Sequence, residues 1–115
     1  MTKDHLPNYL RTHRKRFRLH QHQIAHLVGA RSAAKISRYE HYQRVPDLRT
    51  VFAMEIIYKT PARELFAGLF EETLRSVHER AEHALGGHDH ALASFARKFL
   101  DASVIPPEKL RTTFS

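Results

Sequence analysis

The sequence predicts an all-α chain, and three observations carry that expectation. Apolar residues recur at three- and four-residue intervals through most of its 115 residues. No stretch alternates apolar and polar residues as a strand would. Gly29, Gly86-Gly87 and Pro106-Pro107 fall where periodic stretches end, and Ser32, Asp47 and Thr60 stand where caps are needed. At this length the chain makes one small domain, or one domain with an appendage.

Composition narrows the class further. With 42% hydrophobic and 27% charged residues, the chain is ordinary for a globular protein, so general disorder is not expected. There is no run near eighteen apolar residues, and hence no expected membrane span. The opening MTKDHLPNYLRTHRKRF lacks the apolar centre of a signal peptide, so a cytoplasmic protein is the expectation. The absence of cysteine excludes disulfides and thiolate-zinc sites.

Charge is the informative global feature. Residues 1–46 hold ten Lys/Arg and two Asp/Glu (10 − 2 = +8), whereas residues 47–115 hold nine and ten (9 − 10 = −1). A basic half joined to a near-neutral remainder suggests a polyanion-binding module with a second task behind it.

Taken in order, the first helix is expected over residues 7–17. Leu6, Leu10 and Phe17 form its apolar stripe, Pro7 stands in its opening turn, and Arg11, Arg14, Lys15, Arg16 and Arg18 crowd the remaining positions. Ile24, Leu27 and Val28 then give a second helix its apolar face. Gly29 stops that helix, because the residue past a helix end often takes a positive φ that glycine adopts without steric cost. Ser32 is placed to cap a third helix, whose buried side is Ile36 and Tyr39. Its other side shows Ala33, Ala34, Lys35, Ser37 and Arg38, with no acid until Glu40.

Val45-Pro46 ends the third helix's run, and Asp47 is placed to cap a fourth. On that helix Leu48, Val51, Met54 and Tyr58 share a face that Phe52 and Ile56 broaden. Thr60 as cap and Pro61 at the first helical position start a fifth helix with Leu65, Phe66, Leu69 and Phe70 on its stripe. That stripe runs on through Leu74, Val77, Ala81, Ala84 and Leu85, predicting a helix of about 24 residues that Gly86-Gly87 breaks. A last amphipathic segment carries Leu92, Phe95, Ala96, Phe99 and Leu100 and stops at Pro106-Pro107, with Leu110 and Phe114 in a short tail. The expected division is 1–70 and 71–115, and the apolar surface of the second part is expected to meet a second copy of the chain or another protein.

Two short helices about a tight turn, the second with a small-and-basic outer face, describe a helix-turn-helix. The stretch from Leu10 to Phe66 resembles the Cro/C1-type family of bacterial and phage regulators, also called the xenobiotic response element family. The resemblance rests on Leu19-His20-Gln21, Ile24-Ala25, Val28-Gly29, Ile36-Ser37-Arg38-Tyr39-Glu40, Pro46-Asp47-Leu48, Thr50-Val51 and Glu64-Leu65-Phe66. It implies a five-helix, lambda repressor-like domain, here with an extended last helix and a C-terminal helical hairpin. It also implies a homodimeric transcriptional regulator, in the first instance a repressor, whose third helix enters the major groove of double-stranded DNA.

The resemblance assigns residues as well. Gln21 matches a glutamine that holds a DNA phosphate, and Arg14 and Glu40 match a salt-bridged pair beneath the reading helix. Ser32, Ala33, Ala34, Lys35 and Arg38 match positions facing bases or flanking phosphates. Arg38 is the candidate for a bidentate contact to guanine, and an alanine here suits a thymine methyl. Arg31, Ser37 and Arg44 fall on the phosphate side, and Lys35 has that character too. The sequence also departs from the pattern. Six residues separate Gly29 from Ile36 where many members have five, which leaves two registers open for residues 32–34. Tyr42 stands where a glycine is common, so the end of the third helix is expected to be built differently. Glu55 falls at a usually small core position, either partly buried beside an arginine such as Arg63 or on a rotated helix.

Other chemistry has less behind it. His20, His22 and His26, and His88 with His90, lack further ligands at fixed spacing, so no metal or other cofactor is expected. No acid, base and nucleophile can be named together, so no enzyme is expected. The alternative within the same resemblance is an antitoxin-like protein. Its residues 71–115 would bind a protein partner, and its DNA binding would be autoregulatory.

Overall fold

A computed structural model describes residues 6–102 of the chain, and within them there are seven helices and no strand. The helices are α1 (Leu10–Arg16), α2 (Gln21–Val28), α3 (Ala33–Glu40), α4 (Leu48–Tyr58), α5 (Ala62–Leu65), α6 (Ala67–Ala84) and α7 (His90–Ala102). The chain divides into two compact units between residues 69 and 70. Pro106-Pro107, Leu110 and Phe114 lie outside the described residues.

The first unit gathers its helices around a core to which each contributes. Leu10, Ile24, Ile36, Met54 and Leu65 come from α1, α2, α3, α4 and α5 in turn, and all five are fully buried. Each such burial contributes roughly 1.5–3 kcal/mol, which binds short helices that would be marginal alone. Tyr39, Tyr58 and Phe66 complete the core.

Four helix ends share one device. One or two residues past the helix the chain turns left-handed, and the next N–H reaches back five residues to a carbonyl. After α2 the left-handed residue is Gly29 (φ 78°), and Ala30 N donates to Ala25 O at 2.8 Å. After α1 it is Arg18 (φ 59°), with Leu19 N to Arg14 O at 3.2 Å. After α3 it is Tyr42 (φ 67°), with Gln43 N to Arg38 O at 2.9 Å, and after α4 it is Lys59 (φ 52°), with Thr60 N to Glu55 O at 3.3 Å. The end of α3 is therefore built as a glycine would build it, contrary to the expectation from Tyr42. Because a left-handed L-residue costs about 1–2 kcal/mol and glycine returns part of that as unfolded-chain entropy, Tyr42→Gly is expected to raise stability by roughly 0.5–1 kcal/mol. Urea midpoints of the two proteins measure it; an unchanged or lower midpoint would show that the Tyr42 ring contributes more than its backbone costs.

Several sequence expectations are corrected by long-range contacts. The first helix starts at Leu10, not residue 7. Asn8 is buried, its Oδ1 accepts from Leu10 N (3.0 Å) and its Nδ2 donates to Tyr39 O (2.9 Å), so residues 6–9 are held outside the helix. That segment runs along residues 65–69 instead: Tyr9 N donates to Leu65 O (2.7 Å), Gly68 N to Leu6 O (2.9 Å) and Leu69 N to Pro7 O (3.3 Å). The expected 24-residue helix is broken at Phe66 (φ −115°, ψ 47°), which drops its ring into the core and ends α5. First-turn N–H groups of α6 then find their acceptors in the Leu6-Pro7 segment. Pro61, not Thr60, precedes α5, and the Thr60 hydroxyl donates to Tyr58 O at 2.9 Å. Leu27, Leu48, Phe52 and Ile56, placed on core-facing stripes by their spacing, are exposed. Glu55 is half-buried.

In the second unit Asp89 Oδ1 accepts from Leu92 N at 3.0 Å and starts α7. Ala96 is the buried residue of α7, and Phe99 packs between His78 (5.4 Å between ring centres) and Phe95 (5.9 Å). Leu92 and Phe95 remain exposed.

Candidate nucleic-acid interface

The site is built on α2, α3 and the turn between them. The α3 helix shows its Ile36, Tyr39 and Glu40 side to the protein, all three buried. Ser32, Ala34 and Arg38 are exposed on the opposite side, with Ala33, Lys35 and Ser37 half-buried at its margins. Ser32 occupies the cap position, yet its side chain makes no capping hydrogen bond and stays available. Arg31 in the turn and Arg44 beyond α3 are both exposed.

Beneath this helix lies a buried ionic cluster. Arg14 Nε donates to Glu40 Oε2 at 2.6 Å and Nη2 to Oε1 at 3.1 Å, a two-pronged pair whose side chains are 10% and 0% exposed. Arg14 Nη1 donates to Leu19 O at 3.0 Å, and Gln21 Nε2 donates to Glu40 Oε1 at 3.0 Å. The carboxylate thus ties the end of α3 to α1 and to the first residue of α2. Hydrogen bonding to Glu40 holds the Arg14 guanidinium above its usual value. Burial, and after it the Glu40 charge, push the Tyr58 hydroxyl up, so it stays protonated beside the cluster. Gln21 has two amide N–H groups, and one is committed to Glu40 rather than wholly to an outside phosphate.

Two further residues adjust the face. Asp47 caps α4 by accepting from Thr50 N at 2.9 Å. That bond holds its carboxyl below the usual range, with Lys35 adding a smaller pull. His41, which sequence reading did not single out, ends α3 with Nδ1 donating to Ser37 O at 2.8 Å and lying 3.3 Å from Ser37 Oγ. A carbonyl only accepts, so Nδ1 is the donor in this contact. The four-residue spacing of Ser37 and His41 was the available signal.

Behind α1, the His13 ring lies 5.8 Å from Tyr58. Burial, then the Arg16 charge, lower its pKa against a smaller opposing pull from Glu64. A lowered folded-state value means that the unfolded chain takes the proton first. The contribution is complete above the unfolded pKa and is lost as pH falls from there toward the folded one. Between roughly pH 8 and pH 5, His13→Phe is expected to flatten the fall in urea midpoint relative to the native chain. Parallel curves would show that His13 does not contribute.

Among the described residues no three His, Asp or Glu converge to hold a metal ion, and no helix is long and apolar enough to cross a membrane. No protein-family model, curated protein or solved structure matches this chain.

Proposed function

We propose that the chain is a Cro/C1-type, sequence-specific DNA-binding regulator that occupies operators as a homodimer. One observation carries this reading. The eight-residue helix α3 is locked from behind by Ile36, Tyr39 and the Arg14–Glu40 pair, while its front presents small and cationic side chains. Ser32 and Ala34 keep that front low enough to approach base edges, and Arg38 supplies a fork matched to guanine. Ala33 and Lys35 stand at the margins of the reading face. Arg31, Arg44, Ser37 and the second N–H of Gln21 suit phosphate oxygens, which set register without reading sequence. Exposed Arg11, Lys15, Arg16 and Arg18 add long-range attraction to a polyanion.

Selection of bound duplexes from a random pool tests the reading and supplies a cognate site. On that site Arg38→Ala is expected to lose about 1–3 kcal/mol of affinity and to relax the preference at one base pair. Arg44→Ala should weaken all sequences alike and flatten the salt dependence. Equal losses on selected and random duplex for both variants would overturn the assignment of Arg38. A second reading, in which residues 71–115 bind a protein partner in the manner of an antitoxin, is favoured by exposed Leu92 and Phe95 on α7. Light scattering separates the two: a monomer at every concentration supports the external partner.

A further inference from the structure

The side of α4 that turns away from the core carries an apolar strip beside the exposed Arg49. Leu48, Phe52 and Ile56 recur every four residues and are 66%, 54% and 75% exposed, and Val45 just before the helix is exposed too. Together they leave on the order of 400 Å² of apolar surface in one strip, the size of patch that a monomer keeps for an interaction. We infer that this ridge is a contact between two copies of the chain, with the two α4 helices packed antiparallel about a two-fold axis at Phe52.

Three points select a second copy as the occupant. Residues four apart form the ridge that fits the groove of a like helix. A two-fold at the middle residue sets Leu48 of one copy against Ile56 of the other, so the strip is complementary to itself. The area is the second point: two ridges bury roughly 800 Å², below the ~1,200 Å² of stable interfaces, which suits a contact strengthened when both copies lie on one duplex. Position is the third. Eight residues of α4 rise roughly 12 Å, and packed helices lie 8–10 Å apart, so the two Leu48 residues stand about 15 Å from each other. Each α3 ends at Glu40, eight residues upstream of Leu48 in the same compact unit, so a contact through α4 joins the two units that carry the α3 helices. The inference deepens the DNA-binding reading and rests on it for the strengthening by duplex, not for the contact itself.

The chain has no cysteine, so single substitutions report contacts without background. Full-length Phe52→Cys, Leu48→Cys, Ile56→Cys and, on α7, Phe95→Cys are treated with a short thiol cross-linker, with and without mixed-sequence duplex. The expected result is a covalent dimer from Phe52→Cys, and several-fold more dimer from Leu48→Cys mixed with Ile56→Cys than from either alone. Duplex should raise both yields. Phe52→Glu, at an exposed position, should keep the helical circular dichroism and lose self-association by sedimentation. A mixture no better than its components, or dimer formed only through Phe95→Cys, overturns the inference, the latter by placing self-association on α7. The expected cross-links without any response to duplex support the ridge contact and count against the DNA reading.

Discussion

Glu40→Ala is expected to lower the unfolding free energy by roughly 3–5 kcal/mol, because it strands a buried guanidinium rather than merely deleting a contact. Arg14 has each of its three nitrogens engaged, two on Glu40 and one on Leu19 O, and almost no access to water. Without the carboxylate, two of those donors and the Gln21 amide lose their acceptor inside the protein. For a domain whose total stability is about 5–15 kcal/mol, that loss is a large fraction of the whole. Urea denaturation measures it. Replacing both partners, Arg14→Met with Glu40→Leu, should recover most of the loss, since an apolar pair of similar volume carries no desolvation cost. A single Glu40→Ala loss below about 1 kcal/mol would mean that the pair is solvated and behaves as a surface ion pair. Gln21→Ala should loosen the same cluster, so its effect on DNA must be read at a temperature where the variant is folded.

Gly68→Ala should reverse the usual sign of a glycine-to-alanine change in a helix. At a free helical position the substitution stabilises by about 1 kcal/mol. Here an added methyl would stand 2.7 Å from Pro7 Cα and 2.8 Å from the Leu6 carbonyl carbon. Those are backbone atoms and cannot rotate aside, so residues 6–9 must shift and strain their bonds to Leu65, Gly68 and Leu69. The expected outcome is a loss of about 1–3 kcal/mol, with faster hydrogen exchange at the Tyr9, Gly68 and Leu69 amides. Gly86→Ala is the control, since a methyl there meets nothing within 4 Å. Equal behaviour of the two variants would show that the Leu6-Pro7 segment does not lie against α6.

Much of the fold was legible because its signals are short-range. Apolar spacing located helices around Ile24, Ile36, Met54 and Leu65, all of which are buried. Gly29 takes the left-handed turn that its type suggested, and Asp47 caps α4 through Thr50 N. Spacing could not tell the two sides of α4 apart. Leu48, Phe52 and Ile56 repeat as regularly as Val51, Met54 and Tyr58, and which set faces inward depends on where α2 and α5 lie. At the candidate interface the residue types on the front of α3 were legible, but the inward commitment of Gln21 was not.

What the sequence determined by itself is therefore the all-helical class, the helix ends marked by Gly29 and Asp47, the basic first half, and the small-and-cationic row from Ser32 to Arg38. These follow from backbone sterics, capping and formal charge, which act within one turn of helix or need no geometry. Only the tertiary structure decided that residues 6–9 pair with 65–69, that the chain breaks at Phe66, and that Arg14, Gln21 and Glu40 converge. Each joins segments up to some sixty residues apart, and such contacts form only when core burial outweighs the entropy of closing the chain between them.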